Sequence, residues 1–150
     1  MAVTDRDVAA IHHMLVYSMA RGAARAPVDP EISMRFIYRT ATSKEGAVAL
    51  MAFAGSQLVG TMGIEQTAYW YSRDTFLRET WMYVLPEHEN KGVMVELLKE
   101  AKAIADLAGM SLFIAPTAKG RKRGARKEHV ATIYHYAPAG EIYAFHPKET

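Results

Sequence analysis

The run Trp81-Met82-Tyr83-Val84-Leu85-Pro86-Glu87-His88-Glu89-Asn90-Lys91-Gly92, followed by an apolar pattern from Val93 to Ala108, is the part of this chain that points most directly to chemistry. It predicts a strand that stops at Pro86, a polar turn with one glycine, and a helix that begins where the turn ends. The first turn of a helix leaves backbone N–H groups unpaired and carries partial positive charge, so a phosphate can dock there with little help from side chains. Lys91 adds a cation at the helix entrance, and the amides of residues 90 to 94 need no particular side chain. A nucleotide or a coenzyme fits such an end.

Other polar groups have less specific uses. Lys119, Arg121, Lys122, Arg123, Arg126 and Lys127 form a basic run with glycines at 120 and 124, which reads as a loop. It could hold a phosphate of a coenzyme or of nucleic acid, or be a solvated loop with no ligand. His12 and His13 are adjacent on a predicted helix and face different directions, so they read as structural or exposed. His129 and His135 are six apart, outside the spacing that puts two ligands on one helical face, and no metal site is expected. His88 lies beside the phosphate turn and reads as a turn residue.

Composition narrows the class. With 150 residues, half of them apolar, the chain fits one domain over 1–150 with a substantial core. Eighteen Lys+Arg against 16 Asp+Glu leave a net charge of +2, too balanced to argue by itself for a nucleic-acid or membrane partner. The absence of cysteine excludes disulfides, thiolate zinc sites and cysteine nucleophiles. Asp5, Arg6 and Asp7 stand where a signal peptide would need its apolar core, and no apolar run approaches about 18 residues. A soluble, cytoplasmic protein is expected.

The elements that must position the turn follow from periodicity and punctuation. Thr4 reads as an N-cap with Asp7 three residues on, and Val8, Ile11, Leu15 and Met19 continue at helical spacing to an end near Gly22. Asp29-Pro30-Glu31 supplies a cap, a first-turn proline and a first-turn acid for a second helix, with Met34, Ile37, Tyr38 and Ala41 on one face. Residues 47–54 and 57–64, joined at Gly55-Ser56, predict a β-hairpin whose second run is interrupted by Gly60 and Gly63. A polar-aromatic connection holding Tyr69, Trp70 and Tyr71 leads to a third strand from about Phe76 to Leu85. After the helix at 93–108, closed by Gly109, residues 110–115 predict a short strand parallel to the third. A short helix over 128–136 and a last strand over 141–146 complete the order, a mixed sheet flanked by helices.

This order, with the residues at its centre, resembles the GNAT superfamily of N-acetyltransferases over nearly the whole chain. The family carries a strand, then Arg/Gln-x-x-Gly-x-Gly/Ala, then a helix, and the backbone amides of that segment bind the pyrophosphate of acetyl-CoA. Here Val84 to Glu87 match the strand end, and Glu89-Asn90-Lys91-Gly92-Val93-Met94 occupies the signature. Gly92 matches, Glu89 stands in place of Arg or Gln, and Met94 in place of a small residue, so the motif is degenerate. The resemblance implies an α/β (α+β) fold with a mostly antiparallel central sheet, flanking helices and a splayed parallel strand pair. It assigns acetyl-CoA, as co-substrate, to Val84, Asn90, Lys91, Gly92, Val93 and Met94. Ile133-Tyr134-His135-Tyr136 resembles the family's Leu-Tyr segment, whose tyrosine protonates the departing CoA thiolate; Tyr134 is the corresponding residue, and the register could shift to Tyr136. A phenol of pKa about 10 is protonated at neutral pH and can donate to sulfur.

Amide acylation also needs a base for the attacking amine, and Glu79, at the start of the strand before the signature, can accept its proton directly or through water. Its plainer reading is a strand carboxylate near Arg78. Tyr83 points at the thioester or fills the core, and the core is the simpler reading. The expected activity is N-acetyl transfer to a primary amine of a small molecule or protein by direct attack. Two alternatives stay open: a catalytically degenerate GNAT-fold binding or assembly protein, and a transferase acting on nucleobases, similar to small divergent proteins often encoded by phages. The aromatic connector could line the acceptor site or pack on a second subunit in a homodimer.

Overall fold

A computed structural model describes residues 3–19, 27–43 and 45–114. Helix α1 (Asp5–Ser18) starts with a capping box: the Thr4 side chain accepts from the Asp7 amide, and the Asp7 carboxylate accepts from the Thr4 amide at 2.8 Å and its hydroxyl at 2.7 Å. These hydrogen bonds, the hydroxyl's first and the amide's second, hold the Asp7 carboxyl below its ordinary value of 3.8. Helix α2 (Pro30–Thr42) starts as the sequence predicts, with Asp29 accepting from the Glu31 and Ile32 amides and Pro30 in the first turn. The two helices are tied by His12 Nε2 and Ser33 Oγ at 2.8 Å. Ser33 Oγ also donates to the Asp29 carbonyl at 2.8 Å.

The inner face of α2 differs from expectation at one position. Ile37 and Thr40 are buried, Met34 and Ala41 are partly buried, but Tyr38 is 52% exposed. Tyr38 is a quarter turn from Ile37, and the tighter stripe through Phe36, Ile37 and Thr40 is the one that meets the core.

Strand β1 (Ala47–Ala54) and strand β2 (Gln57–Ala68) form the expected hairpin, with Gly55 at φ 61° in the turn. β2 does not stop at Ile64; it runs four residues further, through Ala68. Gly60 and Gly63 do not interrupt it, because both are places where another element sits too close for a side chain. Strand β3 (Thr75–Val84) pairs antiparallel with β2, and helix α3 (Val93–Ala108) leads to β4 (Leu112–Phe113), parallel to β3 at Leu77 and Arg78. The sheet order is β1-β2-β3-β4. This is the mixed, mostly antiparallel sheet with a parallel pair that the sequence predicts.

Each face of the sheet has its own helices. Val8, Ile11, Leu15 and Ile37 of α1 and α2 form one core cluster with Ala49 and Trp81. On the other face α3 buries Leu97, Leu98, Ala101 and Ala105. Gly109, at φ 65°, ends α3 and returns its N–H to the Asp106 carbonyl at 3.2 Å, as a left-handed C-terminal glycine should. No helix among the described residues is long and apolar enough to cross a membrane.

Candidate functional site

The predicted strand, turn and helix form one continuous unit. Val84 ends β3 opposite Gly60, and the next residue still belongs to the sheet, since the Leu85 amide donates to the Val59 carbonyl at 2.9 Å. Pro86 then starts a single 3-10 turn, Pro86–His88, closed by His88 and Glu89 amides donating to the Leu85 and Pro86 carbonyls at 2.9 and 3.2 Å. His88 is thus a turn residue, partly buried, as its position predicts.

Two left-handed residues redirect the chain into α3: Asn90 at φ 61° and Gly92 at φ 84°. A Cβ on Gly92 would meet nothing within 4 Å, so glycine is needed there for backbone conformation and not for space. No side chain caps α3, and the Gly92 carbonyl accepts from the Glu96 amide at 3.1 Å. Most helices carry Ser, Thr, Asp or Asn at that position. A helix start with no such cap suits an external anion, and Lys91 beside it is exposed. Glu89 is also exposed. Val93 and Met94 lie in the first turn, partly buried.

The seat of this turn on the sheet depends on Gly60, whose role the sequence reading missed. An ideal Cβ on Gly60 would lie 2.6 Å from Val93 Cγ1, 3.3 Å from Leu97 Cδ1 and 3.5 Å from the Tyr83 carbonyl oxygen. Real carbon contacts do not come that close, so the first turn of α3 rests on bare β2 backbone. An isolated glycine within an apolar strand pattern is the signal that could have found it.

Glu79 lies five residues before Val84, about 17 Å along β3 at ordinary strand rise. It is partly buried and sits opposite Ile64 at an irregularity in the ladder: Gly63 pairs with Trp81 and Ile64 with Glu79, which leaves Thr80 as an extra residue without a β2 partner. The last recorded β3–β4 pair is Arg78 with Phe113. Glu79 therefore borders the point where the β2–β3 ladder skips Thr80. The Thr80 hydroxyl is buried with no hydrogen-bond partner among the described residues. Arg78 pairs across the strand with Glu65, its Nε donating at 2.8 Å.

Trp81 anchors the far side of the bulge. Its indole N–H donates to Thr61 Oγ1 at 3.1 Å, Thr61 donates to the Leu50 carbonyl at 2.9 Å, and Phe36 meets the ring edge-on at 6.0 Å. Tyr83 packs against this same cluster, the core role its sequence position suggests.

Tyr134, Tyr136, the basic run at 119–127, His129, His135 and the predicted elements over 128–136 and 141–146 lie outside the described residues. The aromatic connector lies at the opposite end of β3 from the anion turn. Tyr69 stacks on Phe76 at 4.5 Å and Phe76 meets Phe113 at 5.1 Å, while Trp70 is 95% exposed. Tyr69, Arg73, Thr75 and Ser111 line an open depression of about 530 Å³ there. Among the described residues no group of three or more His, Cys, Asp or Glu is placed to hold a metal ion.

The family model of the acetyltransferase (GNAT) family matches residues 14–129. Solved structures share the fold at low identity. A predicted acetyltransferase with acetyl-CoA from Clostridium acetobutylicum is 13% identical, with 96% of this chain and 92% of that one covered and a TM-score of 0.72. The ribosomal-protein-alanine N-acetyltransferase of Brucella melitensis biovar Abortus 2308 is 17% identical, with 96% of each chain covered and a TM-score of 0.63. An aminoglycoside acetyltransferase from an uncultured soil metagenomic sample, in complex with sisomicin, is 13% identical, covers 99% of this chain and 92% of its own, and has a TM-score of 0.63. No curated protein is significantly similar to the chain in sequence.

Proposed function

The chain belongs to the GNAT family of acetyltransferases, and from that premise we propose that it is an acetyl-CoA-dependent N-acetyltransferase acting on a primary amine by direct attack. The observation that carries this reading is the β3–turn–α3 unit: two left-handed residues at 90 and 92 turn the chain into a helix whose start has no side-chain cap. The backbone of Asn90, Lys91, Gly92, Val93 and Met94 would bind the pyrophosphate, with Lys91 adding charge and Val84 bordering the strand end. The co-substrate supplies an activated acyl group as a thioester.

In the transfer, the amine nitrogen bonds to the thioester carbonyl carbon and the carbon–sulfur bond breaks. Glu79 takes the amine proton, directly or through a water, and Tyr134 protonates the leaving thiolate, so that an amide and a free thiol result. The acceptor is a small-molecule or protein amine, in line with the aminoglycoside and ribosomal-protein-alanine enzymes that share the fold. Residues 1–150 act as one domain, in the cytoplasm. Calorimetry with acetyl-CoA and CoA tests the reading, and no binding at millimolar coenzyme would sink it.

A second reading is favoured by Glu89 and Met94, which depart from the family's signature: a GNAT-fold protein that binds or assembles without transferring acetyl groups. It gains if the native chain has no coenzyme affinity and Glu89→Gln or Met94→Ala creates it.

A further inference from the structure

The two glycines of β2 show which way each face of the sheet points. A Cβ on Gly60 would meet Val93 and Leu97, so position 60 faces α3. A Cβ on Gly63 would lie 2.6 Å from Trp81 Cδ2 and Cε3, and Trp81 belongs to the core cluster under α1 and α2. Side chains alternate along a strand, so Ile64 faces α3 as Gly60 does. Gly63 pairs with Trp81 and Ile64 with Glu79. Residues directly opposite in a ladder share a face, which puts Glu79 on the α3 side and Trp81 on the α1–α2 side. Two positions apart in a regular strand they would share a face, and the extra residue Thr80 is what changes the parity.

Gly63 leaves the room that this extra residue takes. A Cβ there would come closer still to Thr80 Oγ1 than to the indole, so two successive side chains of β3 fill the space over one residue of β2. Trp81 is held in place on its own account, by its indole bond to Thr61 and by the core cluster. Thr80 is not: its hydroxyl is buried with no hydrogen-bond partner among the described residues. A side chain at 63 would therefore displace Thr80 first. The extra place then moves back by one residue, Thr80 pairs with Ile64, and Glu79 becomes the skipped residue and loses its position on the α3 face.

We propose that Gly63 is a positioning residue for acetyl transfer: its missing side chain keeps the extra residue of β3 at Thr80, and so sets Glu79 on the sheet face that carries α3 and its anion turn. The inference rests on the transferase reading above, in which Glu79 takes the amine proton. The two glycines of β2 divide the work. Gly60 seats the first turn of α3, where the coenzyme would bind, whereas Gly63 fixes the place of the carboxylate. A change at 63 should alter turnover and leave the coenzyme site alone.

Gly63→Ala, Glu79→Gln and the double variant of the full chain are compared in acetyl transfer from acetyl-CoA to poly-lysine as the primary-amine acceptor. Glu79→Gln should lower kcat by about 10²–10⁴-fold, as loss of a general base does. Gly63→Ala should lower it by about 10–100-fold, the scale of a displacement near 1 Å, with KM for acetyl-CoA unchanged. The double variant should be no slower than Glu79→Gln, because a base already removed cannot be displaced further. Losses that multiply, or full turnover in Gly63→Ala, overturn the proposal. Full turnover in Glu79→Gln instead overturns the base assignment on which it rests. A second readout needs no acceptor: the carbon-13 signal of the Glu79 carboxyl, identified by its loss in Glu79→Gln, should move in Gly63→Ala while that of Asp7 stays in place. An unmoved Glu79 signal overturns the proposal even in a chain that transfers nothing to poly-lysine. If Gly63→Ala melts too low to assay, Thr80→Gly empties the same space instead of overfilling it, and the same measurements decide with the same expected and refuting results.

Discussion

Gly60→Ala is the substitution that most directly tests how the anion turn is seated. The added Cβ would lie 2.6 Å from Val93 Cγ1 and 3.3 Å from Leu97 Cδ1, and the first of these distances forces a shift. Overpacking of this kind costs about 1–3 kcal/mol, and replacing a strand glycine by alanine returns about 0.5–1 kcal/mol of backbone entropy. The net expectation is a loss of about 1–2 kcal/mol, which lowers the urea midpoint by about 0.5–1 M at an m-value near 2 kcal/mol/M. Gly60 has no positive φ, so strain at the glycine itself does not enter.

The cause of that loss is separable from a general strand defect. Val93→Ala removes Cγ1, the atom in the closest contact, so in the Val93→Ala background the Gly60→Ala penalty should shrink by about 1 kcal/mol, the range of coupling seen between touching residues. Because Val93 opens α3, the clash should also displace the turn, and the affinity for CoA should fall in Gly60→Ala and recover in the double variant. Gly60→Ala with wild-type stability, or with the same penalty in both backgrounds, would refute the packing argument. Unchanged CoA affinity beside a proven clash would refute only the link between seat and ligand.

Gly92→Ala tests conformation without sterics: a Cβ there meets nothing within 4 Å, but φ is 84°. A loss of about 1–2 kcal/mol is expected from forcing a left-handed residue, with CoA binding weakened as well, and an unchanged thermal midpoint would show that the turn adapts. The depressed Asp7 carboxyl gives a pH signature. A carboxylate whose folded pKa lies below its unfolded value stabilises above the unfolded value, near 3.8, and the contribution disappears as pH falls through the lower folded value. Asp7→Asn should therefore melt below wild type at neutral pH and converge with it on acidification below that range. A melting difference that stays constant to the lowest pH at which the chain is folded would remove the capping box as its source.

How much of the fold was legible depended on whether the signal was local. Thr4-x-x-Asp7 and Asp29-Pro30-Glu31 are complete start signals within a few residues, and both helices begin where they stand. The parallel β3–β4 pair also followed from order alone, since a strand after a crossover helix cannot return antiparallel by a short hairpin. Tyr38 was misplaced because helical spacing defines a broad stripe, while the sheet contacts only part of it. The end of β2 was misjudged because Glu65 to Ala68 are held by pairing with β3, a long-range contact with no local apolar signature.

The site divides along the same line. The strand, proline stop, glycine turn and apolar helix were visible because each is a local backbone preference, and the left-handed Gly92 is what such a turn requires. The dependence of that turn on Gly60 was hidden, because Gly60 lies within β2, more than thirty residues before the turn, and meets the start of α3 only through the folded contact with Val93. The Thr80 bulge was hidden for a related reason: a ladder irregularity is a property of two strands in register, and β3 by itself reads as a continuous run. Where Glu79 stands follows from that register too. Glu79 pairs with Ile64 next to the skipped Thr80, and Arg78 beside it pairs with Glu65 on the neighbouring strand.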